Sequence, residues 1–250
     1  MWSCFGCGPD CSLHDEGDAL WIETPIPTLP YNAVLKFAVR SDVDSRIDSI
    51  LNHYRQRKVA YLWMVHPSSM PADLGKQLLE QGLEEVEIVS GMAVNLADLP
   101  EPHSPPEGFE IREVDNETAT NCLLEFVAWR WHVPAEAKPY LYAFNQVFHI
   151  GTPLAKIRCW LAWHEGIPVS KAILHCSAGA AGIHGVATKP EARGQGLASL
   201  LTLEALQAAR KDGYKLSVLH STQMAQSLYK KLGFQHMAPY RIFASEKIHL

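Results

Sequence analysis

The chain has 250 residues, a formal net charge of −5, 47% hydrophobic residues and 20% charged ones, enough apolar sequence for one large core or two modest ones. A surplus of acid with no Lys/Arg cluster excludes a nucleic-acid-binding surface. With no run of 18 apolar residues and no basic-then-apolar leader, the expectation is a soluble cytoplasmic protein that does not enter membranes.

Near the start, Cys4, Cys7 and Cys11 are followed by His14. Four soft ligands so close together could hold zinc, but the loops between them are short and no apolar finger core surrounds them. The expectation is no metal, and a mobile N-terminal stretch carrying free thiols. Cys122, Cys159 and Cys176 lie in apolar segments and read as small core residues.

Segments 31–40, 59–65 and 85–95 read as strands; Val43–Arg57 and 72–81 carry helical spacing. Residues 95–107 contain four prolines, which cannot continue a helix or join a central strand, so they form an extended linker. It divides the chain into a lobe over 1–94 and a domain over 108–250. In that domain, 109–114 alternates as a strand, and helices are expected over 116–131 and 135–149, broken at Pro134. Strands are expected over 159–164 and 169–177, a hairpin about Gly166, and over 182–188. Leu197–Lys211 is an amphipathic helix stopped by Asp212-Gly213; a strand over 215–220, a helix ending at Gly233 and a last strand over 240–244 follow.

The most informative stretch runs from Val186 to Ala198: Val186-Ala187-Thr188-Lys189-Pro190-Glu191-Ala192-Arg193-Gly194-Gln195-Gly196-Leu197-Ala198. A strand ends at a proline, and two glycines open a helix. Unpaired first-turn amides and the positive end of the helix dipole suit a phosphate, which can approach closely where there are no side chains. The third glycine of a dinucleotide fingerprint is missing, as is the Gly-Lys-Ser/Thr ending of a P-loop. Without a ligand, the same residues make an ordinary tight turn.

Arg193-x-x-Gly196-x-Ala198 resembles the Arg/Gln-x-x-Gly-x-Gly/Ala signature of the GCN5-related N-acetyltransferases (GNAT family). A second string, Thr222-Gln223-Met224-Ala225-Gln226-Ser227-Leu228-Tyr229-Lys230-Lys231-Leu232-Gly233-Phe234, is similar to the family's Asn-x-x-Ala-x-x-Leu-Tyr-x-Lys-x-Gly-Phe ending. Thr222 stands where the family has Asn. The resemblance implies an α/β GNAT fold, a mixed and mostly antiparallel central sheet flanked by helices. The order β-α-β-α-β in the first half repeats the end of the second. Residues 61–66 echo 215–220, and Gly82-Leu83 echoes Gly233-Phe234. No Gly-x-Gly lies between Tyr31 and Val43, and Leu78 stands where the second half has Tyr229. Residues 1–94 are therefore expected to form a degenerate GNAT-like lobe.

The resemblance implies an acetyl-CoA-dependent N-acetyltransferase in which a primary amine attacks the thioester directly. Its co-substrate would lie on Val186, Ala187 and Thr188, on Arg193, Gly194, Gln195, Gly196, Leu197 and Ala198, and near Thr222. Backbone N–H groups on the strand before the loop would polarise the carbonyl, and Tyr229 would protonate the leaving sulfur. His184, on that strand, is the candidate base; water can also take this role. Trp129, Trp131 and His132 are expected to border the acceptor, by stacking on a ring or holding a cation, although tryptophans there could equally be core. The expected partners are acetyl-CoA and an amine, and the expected state is a monomer or homodimer. The alternative is a non-catalytic acyl-CoA-binding sensor or scaffold on a GNAT fold.

Overall fold

The apolar segments close into two compact units, each built from separated stretches of chain. The computed structural model describes residues 2–101 and 103–246, with side chains from Phe5 onward. The side chain of Cys4 and Pro102 of the linker lie outside the described residues. In chain order the strands and α-helices are β1 (Ser12–Asp15), β2 (Ala19–Glu23), β3 (Ala33–Phe37), α1 (Val43–Arg57), β4 (Leu62–Val65), α2 (Leu74–Glu80), β5 (Glu84–Asn95), β6 (Phe109–Glu113), α3 (Glu117–Arg130), α4 (Lys138–Phe148), β7 (Arg158–His164), β8 (Ile167–Ser177), β9 (Ala180–Thr188), α5 (Leu197–Lys211), β10 (Leu216–Ser221), α6 (Gln226–Lys231) and β11 (Gln235–Ala244). The fold is α/β, with mixed sheet flanked by helices.

The first unit comprises residues 1–89, 131–147 and 238–250. Its strands pair β1-β2-β3-β4-β11, antiparallel except for the parallel β3–β4 step. Helix α1 turns Ile47, Ile50, Leu51 and Tyr54 inward, at the spacing that keeps one helical face apolar. They pack with Phe37, Trp63, Leu74, Leu78 and Phe243. The stretch before β2, expected to be mobile, is instead tied down: Phe5 meets the rings of Tyr31 and Phe144 edge-on. Gly17, in the left-handed conformation at φ +81, closes a β1–β2 hairpin. Glu23 fastens that hairpin to α1 through His53 and Arg57.

The second unit comprises residues 90–130 and 148–237. Its strands pair β5-β10-β9-β8-β7-β6, antiparallel except for the parallel β9–β10 step. Leu197, Leu201, Ala205, Leu206 and Ala209 of α5 bury against Ala172, Leu174, Ala181 and Ile183 of the sheet, with Tyr229 and Phe234 in the same core. Cys159 is fully buried as expected, whereas Cys122 and Cys176 are only half-buried.

The two units share a pattern of local structure. Each has a helix of 15 residues between the partners of its parallel step, and each next helix ends on a left-handed glycine, Gly82 or Gly233. At those ends the Leu83 N–H donates to the Leu78 carbonyl and the Phe234 N–H to the Tyr229 carbonyl, the long bond of a Schellman cap. Leu78 and Tyr229 thus occupy equivalent positions. Each unit also takes its last strand from the other half of the sequence: β11 closes the first and residues 90–95 of β5 close the second.

Candidate active site

In the second unit β9 is bulged and splayed. Lys171 pairs with Ala187 and Ile173 with His184, so β9 carries one residue more than β8 between those pairs. Gly185 sits in this bulge at φ +54. On its other side β9 pairs with β10 only at Ala181 and Gly182, across from Ser217 and Val218. The strands part beyond that point, which leaves the backbone of Val186, Ala187 and Thr188 outside the β9–β10 ladder. Ser170 steadies this end, its hydroxyl donating to the Ala187 carbonyl and sharing a bond with the Thr188 hydroxyl.

Residues 189–196 then turn into α5. The Lys189 N–H donates to the Val169 carbonyl and Pro190 opens a short 3-10 turn. Arg193 is exposed, its Nε 3.3 Å from the Thr188 carbonyl oxygen. Gly194 and Gly196 have φ +80 and +75, and a Cβ built on either meets no protein atom within 4 Å. The conformation there calls for glycine, and the space in front of the backbone is open. Gly196 is the N-cap of α5, its carbonyl accepting the Leu200 N–H. The amides of Leu197 and Ala198 head the helix, where no helical acceptor exists for them.

Tyr229 is 6% exposed and meets Phe234 edge-on at 5.8 Å between ring centroids. Burial pushes its phenol up to about 12, so it is protonated at neutral pH. Thr222 precedes the 3-10 turn leading into α6 and makes no side-chain cap bond. His184 lies near His175, ring centroids 6.4 Å apart. Burial, with His175 and His220 beside it, pushes its imidazole down to about 3, so it is neutral at physiological pH and a weaker base than an ordinary histidine.

The expected acceptor residues divide. Trp129, in the second unit, is 44% exposed, and its ring takes the Lys189 ammonium at 5.8 Å. It is therefore a surface ring beside the start of the loop rather than core. Trp131 and His132 belong to the first unit; Trp131 is half-buried, and His132 is exposed and left-handed at φ 49. Among the described residues no group of three or more His, Cys, Asp or Glu is arranged to hold a metal ion. His14 stacks on Trp21 at 3.6 Å instead, and burial raises the Cys11 thiol to about 11. No described helix is long and apolar enough to cross a membrane.

Two residues escape the sequence motifs. Lys189 precedes the turn and reaches both Phe126 and Trp129. Lys171 is fully buried on β8 with its ammonium on the Gly185 carbonyl. Its only sequence signal is a lysine inside the apolar run 169–174.

Residues 155–236 match the family model described as the acetyltransferase (GNAT) domain. The matched stretch lies within the second unit. The fold over nearly the whole chain is similar to two GCN5-related N-acetyltransferases. That from Kribbella flavida is 20% identical, with a TM-score of 0.69 over 95% of this chain and 90% of that one. That from Sphaerobacter thermophilus is 17% identical, with a TM-score of 0.66 over 94% and 85%. A tandem GNAT protein from the clavulanic acid biosynthesis pathway, determined without AcCoA, is 13% identical, with a TM-score of 0.63 over 97% and 85%. At these identities the likeness is one of fold. No curated protein matches the chain in sequence. The GNAT domain contains the bulged strand, the glycine turn, Thr222 and Tyr229.

Proposed function

We propose that the chain is an acetyl-CoA-dependent N-acetyltransferase whose working site lies in the GNAT domain, with residues 1–94 a degenerate copy kept as scaffold. The observation that carries this reading is the splayed β9 running into a turn with two left-handed glycines and open space before them. Backbone amides at Arg193, Gly194, Gln195, Gly196, Leu197 and Ala198 would hold the pyrophosphate. The exposed backbone of Val186, Ala187 and Thr188 would pair with the pantetheine arm as an added strand does.

In direct transfer the amine attacks the thioester carbonyl, the C–S bond breaks, and the sulfur leaves with a proton or as a thiolate. N–H groups of β9 stabilise the oxygen on which charge develops. Tyr229, held protonated by burial, supplies the proton to sulfur. His184, neutral but weakly basic, takes a proton only from the acidic ammonium formed on attack, so the acceptor must enter as the free amine. Trp129, beside Lys189 at the start of the loop, would border the acceptor.

The first unit lacks what the second has at the same station. Asp42 replaces the N-cap glycine and Asp44 follows in the first turn of α1, putting two carboxylates where a pyrophosphate would sit. Leu78 replaces Tyr229.

Calorimetric titration with acetyl-CoA, followed by a screen of amines for thiol release, tests the proposal. Binding near one equivalent with amine-dependent release is expected. Binding without release from any amine would favour the sensor reading, and no binding would remove both.

A further inference from the structure

Lys171 has 1% of its surface exposed, in the middle of β8. An ammonium taken out of water is costly and is kept only where something offsets or uses it. The Cys159 thiol of β7 and the Arg130 guanidinium of α3 act on it electrostatically. Burial pushes the ammonium down to about 8, and Arg130 adds to that. Lys171 donates a short hydrogen bond to the Gly185 carbonyl in the β9 bulge. A side chain at 185 would compete for that space: its Cβ would stand 2.8 Å from the lysine Nζ and 3.3 Å from Ile173.

The first unit offers a comparison. Its β3 also carries one extra residue, Leu35, between the pairs Leu20–Lys36 and Trp21–Val34. Leu20 and Trp21 face that bulge, and no described lysine of the first unit is buried. A bulge of one residue forms there without a buried cation, so the cation serves something else in the unit with the glycine turn.

The Gly185 carbonyl and the Val186 N–H belong to one peptide and point in opposite directions when it is trans. An ammonium on the carbonyl fixes the plane and draws electrons toward the oxygen, making the N–H on the far side a stronger donor. We propose that Lys171 is a positioning residue for acyl transfer. It locks and polarises the Gly185–Val186 peptide, so that the Val186 N–H and the buried positive charge draw electron density onto the thioester oxygen. This rests on the acetyl-CoA reading above and assigns a further residue to that site.

The test needs no acceptor. Isotope-edited infrared spectroscopy of [1-¹³C]acetyl-CoA bound to the parent protein and to Lys171→Met reads the polarisation of the thioester carbonyl. Calorimetry gives affinity, and thermal melting gives stability. The parent is expected to shift the carbonyl band below its position in free acetyl-CoA. Lys171→Met should lose most of that shift, keep its affinity within a few-fold, and melt no lower than the parent. An equal shift in both proteins would overturn the proposal, as would loss of binding in the variant, which would make Lys171 part of the binding surface. If Lys171→Met does not fold, Lys171→Leu carries the same comparison. Failure of the parent to bind would overturn the acetyl-CoA reading and this proposal with it, whereas binding in which the variant's band keeps the parent's shift would sink this proposal alone.

Discussion

Gly196 and Asp42 hold the same station at the heads of α5 and α1. Each is the left-handed N-cap of a 15-residue helix, and each carbonyl accepts the N–H four residues on. One leaves a bare backbone, the other a carboxylate.

Gly196→Val places a β-branched side chain at φ +75, which costs about 1–2 kcal/mol in stability and fills the open space before α5. Affinity for acetyl-CoA should fall by roughly tenfold or more, a loss of at least about 1.4 kcal/mol. Calorimetry alongside a melting curve separates the two effects. Parent-like affinity in a folded variant would remove the glycine turn from the binding site.

The same contrast sets a stoichiometry. With Asp42 and Asp44 heading α1, titration should saturate near one acetyl-CoA per chain. Saturation near two would make the first unit a working site and would mean that the carboxylates do not exclude the ligand.

Tyr229→Phe keeps the ring and its edge-on contact with Phe234. If the phenol only packs, the variant should keep nearly the parent's stability and activity, since the ring and its contact remain. If it protonates the leaving sulfur, turnover should fall by about 10²–10⁴ with cofactor affinity held. Single-turnover thiol release, measured where chemistry limits the rate, decides between them.

The buried His184 makes stability depend on acid. Its folded value lies near 3 against an ordinary 6.5, so the unfolded chain binds the proton more readily. The stabilisation is complete above 6.5 and is lost as pH falls from there toward about 3, at roughly 1 kcal/mol per pH unit. His184→Leu should flatten the dependence of melting temperature on pH in that window. An unchanged acid slope would mean that other groups carry it, His175 among them, since burial lowers that histidine too.

Helices α1 and α5 were legible to the residue, because both are patterned and α5 is bounded by the stop signal Asp212-Gly213. The glycine turn and the Tyr229 helix were legible as motifs, since each spacing has a local backbone cause. The β1–β2 hairpin was missed although Leu13, Trp21 and the Gly17 turn were in view; its strands have four and five residues, and the nearby cysteines offered a competing reading. Lys171 left only a faint trace, a lysine within a largely apolar stretch. A lysine's burial is decided by what folds over it, and the bulge that receives its ammonium is a matter of register between β8 and β9. The split of Trp129 from Trp131 and His132 had the same cause: residues 131–147 leave α3 to pack with distant sequence.

The exchange of closing strands has a practical outcome for anyone dissecting the chain. Cutting at the proline-rich segment 95–107 looks like a clean excision of the catalytic half. Yet a fragment beginning at 108 would lack residues 90–95, which pair along β10 from Leu216 to Ser221. A fragment ending at 94 would lack the partner that β4 finds in residues 241–244. Each piece would expose a raw sheet edge and tend to aggregate. Co-expressed, the two should reconstitute a nicked but working protein, as split reporters do.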